Sequence, residues 1–193
     1  GLNSLDLSLA LFVEGWVNYA NKKQNYMDYK SLITDIQNFP IDGVNFKDIS
    51  PLLASPQFDE VILKMGELVE KPDYWVGIES RGFIFASALS IKFGGGVILC
   101  RKAGKLPGKI ITKTYVTEYS EDELSIQLGT GKVIIVDDVL ATGGTLSTVN
   151  SLCISAGYDV RGSLVLIDLR HVPRSSEFIN ITSPFIKSLI QYE

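Results

Sequence analysis

At 193 residues, with 46% hydrophobic and 21% charged residues, the chain has the composition of a compact globular domain and excludes a disordered or low-complexity protein. A net charge of −4 argues against nucleic-acid binding through bulk electrostatics. The lone His171 excludes a histidine-rich metal centre, and Cys100 and Cys153 lack both metal-ligand spacing and the density of a disulfide scaffold, as expected of buried thiols in a reducing cytoplasm.

Along the chain, Leu5, Leu9, Phe12, Val13, Trp16 and Val17 recur at helical spacing. They predict an amphipathic helix in an N-terminal extension, residues 1–25, packed on the body or on a partner. Asp6 and Glu14 interrupt its apolar run and no basic segment precedes it, so neither a signal peptide nor a membrane span is expected. Residues 26–193 read as one body. Phe58, Val61, Ile62, Met65, Leu68 and Val69 form a helical stripe after the start signal Ser55-Pro56. "DYWVGIE" predicts a strand over 73–79, and "RGFIFASALSIKFG" a helix stopped by Gly94 to Gly96. "GVILCR" and "KVIIVDD" predict two more strands, the second apolar on both faces like a central parallel strand. Leu146, Val149, Leu152, Cys153 and Ala156 stripe a helix ending at Gly157, followed by strands "VRGSLVLIDL" and "PFIKSLIQY". This alternation defines an α/β fold, a mostly parallel central sheet flanked by helices.

Residues 103–127 break the rhythm. They lack a continuous apolar strand and predict two extended arms, Val116 facing Leu124 across a turn at Ser120 to Asp122, with Glu121, Asp122 and Glu123 solvated. A long polar excursion inside a compact domain commonly serves as a lid. Arg101, Lys102, Lys105, Lys109 and Lys113 place five positive charges in thirteen residues without an acid between them. Following a strand end, with Arg81 at another, they suit a pyrophosphate.

"VIIVDDVLATGGT", residues 133–145, carries the most chemistry. Ligands of open α/β sheets bind beyond the carboxyl ends of the strands. There Asp137 and Asp138 suit a ligand offering hydroxyls, a metal or developing positive charge; their side chains diverge unless the strand ends at them. Ala141, Thr142, Gly143, Gly144 and Thr145 open a helix whose free N–H groups form an anion site. Acids for a sugar beside amides for a phosphate describe a sugar phosphate. A Walker loop and a dinucleotide fingerprint are both absent.

This string resembles the phosphoribosyl-pyrophosphate (PRPP) motif of the type I phosphoribosyltransferases. "FPIDGVNFKDISPLL" resembles the purine-covering N-terminal hood of the members that act on adenine, and "ESRGFIF" their pyrophosphate loop. "RKAGKLPG" and "TEYSEDELSIQ" resemble the two ends of their long flexible loop, and "SLIQYE" their closing strand. The resemblance runs in order from about Asn38 to Glu193. It implies a purine-salvage transferase that joins adenine to PRPP, gives AMP and pyrophosphate, binds magnesium with PRPP and works as a cytoplasmic homodimer, without nucleic acid or membrane partners.

Residue roles follow by the same resemblance. Arg81, Arg101, Lys102 and Lys105 hold pyrophosphate, Arg81 and Lys105 with a catalytic share. Asp137 and Asp138 hold the ribose hydroxyls, and Ala141 to Thr145 the phosphate. Asn45, Phe46, Lys47 and Leu140 receive adenine, Phe46 by stacking and Leu140 by closing the opposite side of the ring. Tyr119 seals the lid, and Glu118 is the acid/base. No protein metal ligand is assigned. The 6-oxopurine members carry an aspartate base where this chain has Ala141, so a carboxylate from elsewhere must serve. Lys47 and Ser120 depart from the arginine and glycine frequent in the family. The rival readings are another nucleobase specificity and a non-catalytic PRPP-binding regulator.

Overall fold

The computed structural model describes residues 9–17, 29–116, 120–181 and 184–193. Two compact units divide the chain, Gly1–Phe58 and Asp59–Glu193.

In the first unit, helix α1 covers residues 9–17. Of its predicted apolar stripe, Leu9, Phe12, Val13, Trp16 and Val17 are each more than half exposed in the single chain, and Leu5 lies outside the described residues. Farther on, β1 (Thr34–Gln37) and β2 (Asn45–Asp48) form an antiparallel hairpin in which Ile36 lies opposite Phe46. The Asn38 carboxamide oxygen accepts the Gly43 N–H at 2.8 Å, closing the connection where Gly43 takes a φ of 85°. The Asp48 carboxylate accepts the Ser50 N–H at 2.9 Å and so satisfies an orphan donor at the start of α2 (Ser50–Leu53).

The second unit is built on a seven-stranded sheet of order β5-β6-β4-β3-β7-β8-β9. Its strands are β3 (Tyr74–Ile78), β4 (Gly96–Lys102), β5 (Ile110–Val116), β6 (Glu121–Gln127), β7 (Lys132–Leu140), β8 (Asp159–Leu169) and β9 (Ile186–Tyr192). Strands β4, β3, β7, β8 and β9 run parallel, with β6 and β5 added antiparallel at the β4 edge. Helices α3 (Phe58–Gly66), α4 (Arg81–Phe93), α5 (Gly144–Ala156) and the short α6 (Ser176–Ile179) complete the unit. This agrees with the mostly parallel α/β fold read from the sequence.

The core explains the strand patterns. Val133, Ile134, Ile135 and Val136 of β7 are all buried, as the middle of a sheet covered on both faces requires. The α5 stripe of Leu146, Val149, Leu152 and Cys153 packs on Val76, Ile135 and Val165. Cys100 and Cys153 are free and fully buried, and burial pushes the Cys100 thiol up to about 12. Among the described residues no helix is long and apolar enough to cross a membrane.

Three expectations need correction. The β5/β6 register sets Val116 against Glu121 and Lys113 against Leu124, so Val116 and Leu124 are not partners. Glu121, Asp122 and Glu123 form the first half of β6 rather than a turn. Strand β7 also runs past the carboxylates to Leu140.

Candidate functional site

Chain order reverses at β3, whose neighbours are β4 on one side and β7 on the other. In an open α/β sheet that switch point is where a crevice forms beyond the carboxyl ends of the strands. The register pairs Gly77 with Val136 and Ile78 with Cys100, bringing Arg81, Arg101 and the β7 carboxylates to one edge.

Arg81 is the first residue of α4, and its Nε donates to the Asp138 carboxylate. The acid is nearly buried and the guanidinium partly open, so a charge remains accessible beside its partner. Strand alternation alone would separate Asp137 from Asp138, yet Asp137 Oδ1 turns back to accept the Asp138 N–H at 2.9 Å. Burial, the negative charge of Asp138 and a hydrogen bond between the two carboxyls together hold the Asp137 pKa well above the ordinary carboxylate value. Positive charge arriving in the crevice therefore meets a carboxyl group that has much to gain from it. The first turn of α4 lies directly on this strand. A Cβ at Gly82 would stand 2.8 Å from the Val136 carbonyl oxygen and 3.3 Å from Asp137 Oδ1.

Arg101 Nε donates to Glu79 Oε1 at 2.7 Å, and its guanidinium lies 5.9 Å from the centroid of the Phe83 ring. Lys102 and Lys105 are exposed, the Lys105 N–H donating to the Lys102 carbonyl at 3.3 Å. Among the described residues no carboxylate pairs with Lys102 or Lys105, which leaves two ammonium groups at the end of β4 for an anion; Lys109 is also without a carboxylate partner but lies level with the middle of β4, away from that edge. Lys113 is different: its Nζ donates to Ser151 Oγ on α5.

After β7 the chain turns through Ala141 to Gly143 into α5. Gly143 adopts φ +86°, and a Cβ there would lie 2.2 Å from the Phe178 ring, so the position requires glycine on two grounds. Thr142 Oγ1 accepts the Gly144 N–H at 3.4 Å, and Ser147 N–H donates to the Gly143 carbonyl at 2.9 Å. The helix N-terminus beyond them offers donors and a positive dipole end.

In the hood, Phe46 is half-buried and meets Phe39 edge-on at 5.1 Å between centroids. The Lys47 ammonium pairs with Asp35, and Asn45 is exposed. Leu140 needs correction: at 2% exposure it packs in the α5 core cluster, so its side chain does not face a purine. Glu118 and Tyr119 lie outside the described residues.

Sequence reasoning missed Glu79, Asp168, Arg174 and Phe178. Arg174 donates to the Ala141 carbonyl and to the Asp168 carboxylate, 33 and 6 residues away. Nothing local to "HVPRSSEF" signals either partner.

Residues 58–189 match a family model described as a phosphoribosyl transferase domain, the class that the switch-point crevice, paired acids and glycine turn define. The adenine phosphoribosyltransferase of Bdellovibrio bacteriovorus is 41% identical over 170 residues, covering 86% of this chain and 100% of that protein. The crystal structure of adenine phosphoribosyltransferase from Thermoanaerobacter pseudethanolicus matches with a TM-score of 0.78 and 34% identity, covering 86% of this chain and 99% of that one. The enzyme from Giardia lamblia, solved with 9-deazaadenine, gives a TM-score of 0.79 at 32% identity over 87% of this chain and 98% of its own. This chain belongs to the adenine phosphoribosyltransferase family.

Proposed function

We propose that the chain performs the transfer its family's name states, moving the phosphoribosyl group of PRPP to adenine and yielding AMP and pyrophosphate for purine salvage. The observation that carries this reading is the Arg81–Asp138 pair at the sheet's switch point, set beside the glycine turn that opens α5.

The roles divide by charge. As the bond to pyrophosphate loosens, negative charge grows on the leaving group and positive charge on the ribose ring. Arg81, Arg101, Lys102 and Lys105 meet the first, Arg81 and Lys105 nearest the bond that breaks. Asp137 and Asp138 bind the ribose hydroxyls and meet the second. Thr142 to Thr145, with Ala141, hold the 5′-phosphate. Fixed charges that need no rearrangement during reaction are the most effective kind. Asn45, Phe46 and Lys47 receive adenine, Phe46 by stacking, with Leu140 contributing backbone only. Glu118 manages the proton on the imidazole ring of adenine as its nitrogen attacks, and Tyr119 covers the site.

Magnesium enters with PRPP. Asp137 and Asp138 are hard oxygen donors of the kind the ion takes and would hold it together with substrate oxygens and water. When bound, the ion neutralises charge on the departing pyrophosphate. A cytoplasmic setting is supported by two free, buried thiols. A homodimer is supported by Ile84, Ile91 and Leu99, 40%, 89% and 39% exposed around α4 and β4.

The test is release of pyrophosphate from PRPP and magnesium with each nucleobase in turn. Adenine alone supports the reading; release driven by hypoxanthine, guanine or orotate overturns it. In the same assay Glu118→Gln lowers kcat far more than it raises either KM. Equal turnover by variant and parent removes proton transfer from Glu118.

A further inference from the structure

Two carbonyls of the turn after β7 are taken by one segment of chain. Arg174 Nη1 donates to the Ala141 carbonyl and, at 3.3 Å, to that of Leu169, while Nη2 donates to Asp168 Oδ1 at the end of β8. The next residue, Ser175, donates its N–H to the Thr142 carbonyl at 2.8 Å. Phe178 fills the space beside Gly143, Ser147 Oγ donates to the Glu177 carbonyl at 3.1 Å, and the Arg174 guanidinium lies 5.5 Å from the Phe178 centroid. The Arg174–Asp168 pair is itself mostly shielded, at 21% and 15% side-chain exposure.

Peptide units are planar and trans, so the N–H of each unit points opposite to its C=O. With the Ala141 and Thr142 carbonyls drawn toward residues 174 and 175, the N–H groups of Thr142 and Gly143 are turned the other way. Among the described residues neither N–H meets an acceptor. The turn is thus held with donors outward and lone pairs inward. Released, the peptide between Ala141 and Thr142 is free to rotate and show its carbonyl oxygen to an incoming anion.

We propose that Arg174 is a positioning residue: anchored by Asp168, it holds the Ala141 carbonyl away from the crevice so that the Thr142 and Gly143 N–H groups face the 5′-phosphate. This rests on the reading of Thr142 to Thr145 as the phosphate site. The guanidinium touches no substrate, and its effect falls on ligands carrying that phosphate.

The experiment compares parent, Arg174→Ala, Thr145→Ala and Ser175→Pro in the full chain, measuring the affinities of AMP, pyrophosphate and adenine together with kcat and KM. Losing a charge-assisted hydrogen bond in Arg174→Ala weakens AMP and raises the PRPP KM by about tenfold. Pyrophosphate and adenine affinities stay at parental values, and added guanidinium ion restores part of the AMP affinity. Should Arg174→Ala fail to fold, Ser175→Pro takes its place. Proline fits the φ of −67° at that position and deletes the N–H bound to the Thr142 carbonyl; AMP binding weakens selectively there too. Unchanged AMP affinity in a folded Arg174→Ala overturns the proposal, as does an equal, unrescued loss for AMP and pyrophosphate. If Thr145→Ala weakens AMP and Arg174→Ala does not, the clamp alone is wrong. If both bind AMP like the parent, the phosphate site lies elsewhere and the clamp falls with it.

Discussion

Asp137 shows how one residue sets function against stability. Its carboxyl is pushed up from 3.8 by burial first and the neighbouring Asp138 charge second. A group whose pKa is raised on folding contributes stability that is complete below its unfolded value and is lost as pH rises through the folded one. Asp137 therefore weakens the ligand-free fold progressively above about pH 4. Asp137→Asn removes that titration: its melting temperature matches the parent's near pH 4, exceeds it by a margin that grows as pH rises from there and levels off once the folded carboxyl ionises, while transfer activity falls. A margin independent of pH, measured by thermal unfolding across that range, would exclude Asp137 as the source. The sequence displayed these acids and the glycine turn because they stand together in one unbroken string, residues 133–145, on β7 and the turn after it. It hid Arg174 and Glu79 because Ala141 and Arg101, their partners, are distant in the sequence, and Asp168 because no local pattern signals its pairing with Arg174.

Among the elements, the contact of α4 with β7 sets the width of the crevice. The Gly82 position abuts the Val136 carbonyl, a backbone atom that cannot swing aside. Gly82→Ala forces the helix off the strand and costs about 2 kcal/mol, the usual scale of overpacking. Gly144→Ala is the contrast: its nearest neighbour would be Thr142 Oγ1 at 3.8 Å, so the fold keeps its stability while the anion site narrows. Denaturant unfolding and PRPP KM, measured on both variants, separate the two effects. Equal stability of Gly82→Ala and parent would show that α4 yields at no cost. The elements built from apolar runs were legible: β3, β4, β7, β8 and β9, with α4 and α5 between them. The β5/β6 pair was legible as two extended arms but not in its register or its turn, since polar residues run through both strands and β5 is at the sheet's edge. With little apolar pattern to fix it, register there depends on the length of the connection, which composition does not reveal.

For the whole molecule, the sheet order places every assigned pyrophosphate and ribose residue of the second unit at one edge, which the strand–helix alternation foretold in kind. Its strand order was not readable, because spacing along the chain does not say which side of β3 the chain takes next. The apolar residues left open on α4 set a test at this scale. Ile91, at 89% exposure, follows Ile84 by two helical turns. If the proposed homodimer forms through this face, Ile91→Arg is a monomer in light scattering where the parent is a dimer; a parent that is already monomeric, or a variant that stays dimeric, rules this face out.

Cys100 and Cys153 extend this to the time domain. Both thiols are sealed in the core, and Cys100 is protonated at neutral pH. An alkylating reagent must wait for the core to part before it can react. Its rate of uptake is therefore a clock for large-scale opening, one that ticks more slowly when AMP or PRPP holds the native state closed.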